Sequence, residues 1–200
     1  MNDTIKPVFL GSMPTQNILF FGDSLTAGYG LQNPAMESYP ALIGQKIAAA
    51  PLDYHIINAG LSGDTSAGGL SRLDYWLSRP ISIFVLELGI NDILRGIAPQ
   101  TTRNNLQAII DKTKTKYPAV KIVLMGMQLP AFLHSPFTEQ FNAIYPGLAA
   151  ANQMALIPYF LDGVAGMARL NQRDRIHPNA DGYKVIAEKV WQVMQKVFGV

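Results

Sequence analysis

The chain alternates short apolar runs that stop at polar, glycine-containing clusters with longer stretches of helical period. Asn17-Ile18-Leu19-Phe20-Phe21 predicts a buried strand, because consecutive apolar residues bounded by turn residues leave no face for water. It stops at Gly22-Asp23-Ser24-Leu25-Thr26-Ala27-Gly28-Tyr29-Gly30. Tyr54-His55-Ile56-Ile57-Asn58 predicts a second strand, closed by Ala59-Gly60-Leu61-Ser62-Gly63-Asp64-Thr65. Residues 81–88 are nearly continuously apolar, as a central strand covered on both faces must be, and end in Gly89-Ile90-Asn91-Asp92. A fourth strand is expected over 120–126 and a short fifth over 156–159.

Helical spacing fills the intervals. Ser38 as N-cap and Pro40 in the first turn open a helix over 41–49 that puts Leu42, Ile43 and Ile47 on one face. Further helices run from Ser66 to about Ser78, over 102–116, and over 138–153 with Pro146 as a place for a kink. The last, 180–197, carries Tyr183, Ile186, Val190, Trp191 and Met194 on one stripe. Strands alternating with helices, without a hairpin signal, predict an α/β class: a three-layer α/β/α sandwich on a mostly five-stranded parallel sheet, flavodoxin-like in layout. Right-handed crossovers bring all strand ends to one edge, so Ser24, Gly60 and Asn91 are expected together where such folds collect ligands.

Bulk composition narrows the class without choosing a chemistry. A length of 200 residues fits one domain, read as 17–200, with 1–16 as an N-terminal arm or an appended remnant. A charged share of only 15% beside 48% hydrophobic residues excludes extended disorder. A net charge of +2 and the absence of any Lys/Arg run argue against a nucleic-acid partner; Lys112, Lys114 and Lys116 read as a solvated helix face. No cysteine is present, which removes disulfides, thiolate catalysis and Cys-ligated metals, and no His, Asp and Glu grouping has ligand spacing, so no metal or cofactor is called for. No apolar run reaches the length of a membrane span, so stable membrane insertion is not expected. The N-terminus has no basic region followed by a long apolar core, which leaves both a cytoplasmic site and a periplasmic or secreted one, with the leader removed, open. A homo-oligomer is also left open.

Ser24 on its own has two readings, a helix cap or a nucleophile. A serine hydroxyl needs a base to take its proton and a group to orient that base. Of the three histidines, His55 falls within a strand and His134 in an apolar loop without a nearby carboxylate. His177 stands in Asp174-Arg175-Ile176-His177-Pro178-Asn179, just before the last helix. An i, i+3 carboxylate can hold the imidazole Nδ1–H while Nε2 faces the serine, fixing the tautomer and stabilising the imidazolium. Asp23 and Asp92 read as structural acceptors for backbone N–H groups in their turns.

Taken together, these blocks resemble the GDSL esterases, also called SGNH hydrolases. Gly22-Asp23-Ser24-Leu25, Asn58 to Thr65, Gly89-Ile90-Asn91-Asp92 and Asp174 to Pro178 follow the order of the family's blocks across nearly the whole chain. Ser71-Arg72-Leu73, Leu94-Arg95-Gly96 and Ile144-Tyr145-Pro146 are similar to its bacterial thioesterase, lysophospholipase and arylesterase branch. The resemblance implies Ser24 as nucleophile, His177 as base and Asp174 as its partner. It also implies an oxyanion hole of the Ser24 and Gly60 N–H groups and the Asn91 side-chain amide. A glycine permits close backbone approach and Asn is a neutral donor, which suits those roles. Ile90 departs from the family, where a second glycine is common, and is expected to crowd the site.

The reaction implied is hydrolysis of a small-molecule ester through an acyl-enzyme. Met127, Leu129, Pro130, Phe132, Leu133 and Phe137 either wall an apolar acyl pocket or pack against the next helix, and the residues leave both readings standing. The expectation is short to medium acyl or aryl esters, extending to thioesters or lysophospholipids, with Ile90, Leu129, Phe132 and Phe137 as substrate contacts. Carbohydrate O-deacetylation by the same triad is the alternative. A non-catalytic flavodoxin-like binding module is a distant one: neither Gly-x-Gly-x-x-Gly nor a phosphate loop appears, and such a module has no use for Asp174 and His177.

Overall fold

The protein is described by a computed structural model that covers residues 16–130, 133 and 135–200. The arm expected over 1–16 therefore lies outside the described residues except for Gln16, and so do Phe132 and His134. Five strands form one sheet: β1 Gln16–Gly22, β2 Tyr54–Gly60, β3 Ile83–Glu87, β4 Lys121–Met125 and β5 Ala155–Ile157. Their order is β2-β1-β3-β4-β5, and all four neighbouring pairs are parallel. Ile18, Leu19, Phe20 and Phe21 of β1 are fully buried, which explains why this strand carries no alternation.

Among the described residues seven α-helices connect the strands and an eighth follows β5: α1 Ser24–Ala27, α2 Pro34–Glu37, α3 Tyr39–Ala48, α4 Ser66–Trp76, α5 Ile90–Leu94, α6 Pro99–Lys116, α7 Pro136–Asn152 and α8 Ala180–Phe198. Right-handed crossovers that run outward in opposite directions from β1 must cover opposite faces. Thus α3, which returns the chain from β1 to β2, packs with α8, whereas α4, α6 and α7 form the other layer. The connection leaving β1 runs toward β2 and the one leaving β3 runs the other way toward β4, so the two loops diverge there. That crevice is where open α/β sheets take ligands.

Several details differ from the sequence reading. Ser38 occupies the N-cap position of α3, yet its hydroxyl makes no capping bond and is buried without a partner among the described residues. Helix α7, expected over 138–153 and containing Pro146, begins two residues earlier, at Pro136. Met127 is 1% exposed and belongs to the core, so it is a packing residue and not part of an acyl wall.

Candidate active site

Asp23 is the N-cap of α1: its Oδ1 accepts the Leu25 N–H at 2.9 Å. Capping is thus done by the neighbouring carboxylate, and the Ser24 hydroxyl is free for another partner. That partner is His177, whose Nε2 lies 2.9 Å from Ser24 Oγ, while Nδ1 lies 2.7 Å from Asp174 Oδ2. Asp174 Oδ1 meanwhile accepts the backbone N–H groups of Ile176 at 2.9 Å and His177 at 3.0 Å. Desolvation is the largest single influence on the Asp174 pKa and raises it, but the His177 hydrogen bond and these two N–H groups together outweigh it and hold it down at about 2. An ionised carboxylate only accepts, so Nδ1 carries the ring hydrogen and Nε2 presents its lone pair to Ser24.

His177 reaches Ser24 from far along the chain because its loop is braced. Asn171 and Pro178 form an antiparallel bridge, the Gln172 N–H donates to the His177 carbonyl at 2.8 Å, and Arg175 takes the turn with φ of 60°. Gln172 Nε2 donates to the Tyr29 carbonyl at 2.6 Å and the Pro178 carbonyl at 3.1 Å, pinning this loop to the one after β1. Tyr183 of α8 donates to the Leu25 carbonyl at 2.9 Å, and the Tyr29 ring lies 4.8 Å from the imidazole.

Gly60 and Asn91 arrive at the same edge. A Cβ on Gly60 would overlap the backbone of Thr26 and Ala27, so glycine is required by the contact between two turns. This is a requirement beside the expected one, close approach of substrate. Its N–H donates to Asn58 Oδ1 at 2.9 Å, and Asn58 Nδ2 donates to the Thr26 carbonyl at 2.9 Å. Asn91 gives one amide hydrogen to Asp23 Oδ2 at 2.8 Å and keeps the other. Ser24, first in α1, has a backbone N–H with no partner inside its helix.

Arg72 binds the two strand ends beneath these turns. Its Nη1 donates to the Ala59 carbonyl at 2.9 Å, Nη2 to the Gly22 carbonyl at 3.0 Å and Nε to Asp64 Oδ2 at 2.7 Å. Asp92 is a structural acceptor: it takes the Ser66 N–H at 2.8 Å, the Ser66 hydroxyl, and the Thr102 hydroxyl at 3.2 Å. Sequence reasoning singled out neither Asn58 nor Gln172, and cited Arg72 only within a family block. Each binds main-chain groups of a distant segment, and local patterns carry no signal of that.

The substrate contacts named from sequence are less gathered. Ile90 begins α5 beside Asn91 and is half-buried. Leu129 packs on the core and is held by Asn142 through both its N–H, at 2.8 Å, and its carbonyl, at 3.2 Å. Phe137 is 37% exposed on α7. Concavities of about 410 and 640 Å³ lie elsewhere, one lined by Gln16, Ile83 and Lys121 and the other by Asp74, Leu77 and Lys112. Neither touches Ser24.

A hydroxyl hydrogen-bonded to a tautomer-locked imidazole, with spare N–H donors nearby, can attack a carbonyl and hold the resulting anion. Residues 20–185 match the profile of the GDSL-like Lipase/Acylhydrolase family. A Pseudomonas aeruginosa protein named esterase TesA is 38% identical over 182 residues, covering 90% of this chain and 88% of its own. An Escherichia coli protein named thioesterase 1/protease 1/lysophospholipase L1 is 38% identical over 179 residues, covering 89% of this chain and 82% of its own. A crystal structure of TesA superposes with a TM-score of 0.84 at 37% identity, covering 90% of this chain and 99% of that one.

Proposed function

The chain belongs to the GDSL-like lipase/acylhydrolase family and is an ester hydrolase with the SGNH-hydrolase fold, and from that premise we propose a two-step acyl transfer centred on Ser24. His177 Nε2 takes the Ser24 proton as Oγ attacks the ester carbonyl, and ionised Asp174 balances the imidazolium. The Ser24 N–H and the second Asn91 amide hydrogen receive the oxyanion; the Gly60 N–H joins them by exchanging Asn58 Oδ1 for it. His177 then protonates the leaving alcohol, and the same imidazole activates water to release the acid and restore Ser24. The observation that carries this reading is the unbroken hydrogen-bond chain from Ser24 Oγ through the imidazole to Asp174.

An apolar acyl or aryl group is favoured by the ground around Ser24. Tyr29, Leu61 and Ile176 are 52%, 52% and 54% exposed, and they stand in the loops that carry Ser24, Gly60 and His177. Exposed apolar side chains on all three sides suit an ester of low polarity better than a sugar. The name of the Escherichia coli relative extends the same chemistry to thioesters and lysophospholipids, with a thiol or a glycerol hydroxyl leaving.

The test pairs turnover with labelling. p-Nitrophenyl butyrate and octanoate should be hydrolysed faster than acetate, and a p-nitrophenyl phosphonate should add once, to Ser24, by mass spectrometry. No hydrolysis, or a label on another residue, rejects the mechanism; faster release of acetate from an acetylated oligosaccharide moves the enzyme to deacetylation. Asn91→Ala is expected to lower kcat by about 10² to 10³ with a much smaller change in KM, the signature of a donor used mainly in the transition state. A loss confined to KM would make Asn91 a ground-state substrate contact.

A further inference from the structure

Behind the turn that carries Ser24 lies a second carboxyl that the acyl-transfer scheme does not use. Glu87 ends β3 and pairs in register with Gly22 of β1. Its side chain folds over that glycine, where a Cβ would overlap Thr26 Oγ1 and crowd the Glu87 carboxyl. Glu87 Oε2 accepts the Asp23 N–H at 3.1 Å and the Thr26 hydroxyl at 2.8 Å, and Thr26 Oγ1 in turn accepts from the Tyr39 hydroxyl at 2.9 Å. Oε1 is buried, and no described residue donates to it. Both Glu87 and Asp23 are fully buried.

The donors around the two carboxyls are unequal. Asp23 has a donor on each oxygen, Leu25 N–H on Oδ1 and Asn91 Nδ2–H on Oδ2. Glu87 keeps one oxygen without a donor among the described residues, and two fully buried carboxyls on neighbouring strand ends, one accepting the other residue's N–H, resist being ionised together. A proton on Glu87 removes the second charge and turns the unpartnered carboxyl into a donor, with Asp23 as acceptor. We propose that Glu87 is a positioning residue, a neutral acid that donates to Asp23 and so keeps Asp23 the ionised acceptor that aims the Asn91 amide at the oxyanion.

The inference rests on the acyl-transfer reading for Asn91. The titration directions agree with it. Burial first, then the Asp23 charge, pushes the Glu87 carboxyl well above the carboxylate range. Burial raises Asp23 to about 6, and the donors from Leu25, Glu87 and Asn91, with His177 nearby, stop it from rising further. The other titratable groups facing the pair are the phenols of Tyr39 on α3, Tyr145 on α7 and Tyr183 on α8; Asp92 faces Tyr145. On the β1–β2 side, Arg72 of α4, paired with Asp64, holds the Gly22 carbonyl. Once Asp23 takes a proton, one of its oxygens becomes a donor that opposes Asn91 or Leu25, and the oxyanion amide loses its aim.

Carboxyl-carbon NMR of the wild-type protein, titrated from mild acid to about pH 8, reads the proton directly. The signal missing from Glu87→Gln should stay at its neutral position throughout, and that of Asp23 should titrate near 6. A Glu87 carbon already at its ionised position at neutral pH overturns the proposal. In p-nitrophenyl butyrate kinetics at about pH 8, Glu87→Gln, whose amide reproduces the donor and acceptors, should keep kcat and KM within about threefold. Glu87→Leu should lose at least about tenfold in kcat with KM nearly unchanged and a cooperative melt. Glu87→Gln as impaired as Glu87→Leu, or an unimpaired Glu87→Leu, overturns it as well. Should the wild type hydrolyse no ester, the acyl-transfer reading fails while the NMR still places the proton.

Discussion

Ser24→Ala is expected to lower kcat/KM for p-nitrophenyl butyrate by about 10⁴ to 10⁶ while stability stays within about 1 kcal/mol of wild type. The two halves of that expectation have separate physical causes. The first follows from the hydroxyl being the only group that forms the acyl-enzyme; what activity remains comes from binding and oxyanion donors acting on water. The second follows from the cap. Had Ser24 itself capped α1, its removal would cost about 1 kcal/mol or more and blur the kinetic result. Asp23 makes the capping bond instead, and Asp23 is untouched by the change. A Ser24→Ala, His177→Ala double variant should be about as slow as either single variant, since the two act as one unit. Retained activity in Ser24→Ala would remove the nucleophile assignment, and a large fall in melting temperature would return Ser24 to a structural role.

Strand β1 was legible because Ile18 to Phe21 are buried on both faces, so burial is written as an unbroken apolar run. The short helices α1, α2 and α5 were not, since elements of four or five residues complete too little of a 3.6-residue period to show a face. Helix α6 begins at Pro99, three residues before the expected start, because its first turn is mostly polar and exposed and only the proline marks it. The candidate site divides in the same manner. Ser24, Asp174 and His177 could be named since their chemistry resides in the side chain and their spacing is local or placed by topology. Glu87 reads in sequence as a lone polar residue near the end of an apolar strand, and its meaning appears only when Gly22 leaves room for it beside Asp23. Gly60 was named for the approach of substrate; that Thr26 and Ala27 of another turn also press on it is a contact between distant segments that no local pattern writes.

Asp174→Asn is expected to cost about 10² to 10⁴ in kcat, and more than Asp174→Ala. The asparagine carbonyl oxygen can keep the Ile176 and His177 backbone hydrogens that Asp174 Oδ1 now accepts. Its amide nitrogen would then face His177 Nδ1 as a donor, drawing the ring to the tautomer with hydrogen on Nε2. That hydrogen points at Ser24 Oγ, and no lone pair is left to take the serine proton. Alanine imposes no tautomer, and with the Asp174 side chain 38% exposed, water can occupy its place and leave part of the base function intact. Both losses stay below that of Ser24→Ala because the nucleophile itself is intact. Acid does not imitate either variant: the Asp174 pKa is lowered from 3.8 to about 2, so its ionic contribution to folding is complete above 3.8 and lost only as pH falls through about 2. A loss of activity in mild acid must therefore have a source other than Asp174, and near pH 6 Asp23 is such a group; rate profiles of the two Asp174 variants against pH should keep that loss. An Asp174→Ala rate below that of Asp174→Asn would show that Asp174 matters by holding the ring in place and not by choosing its tautomer.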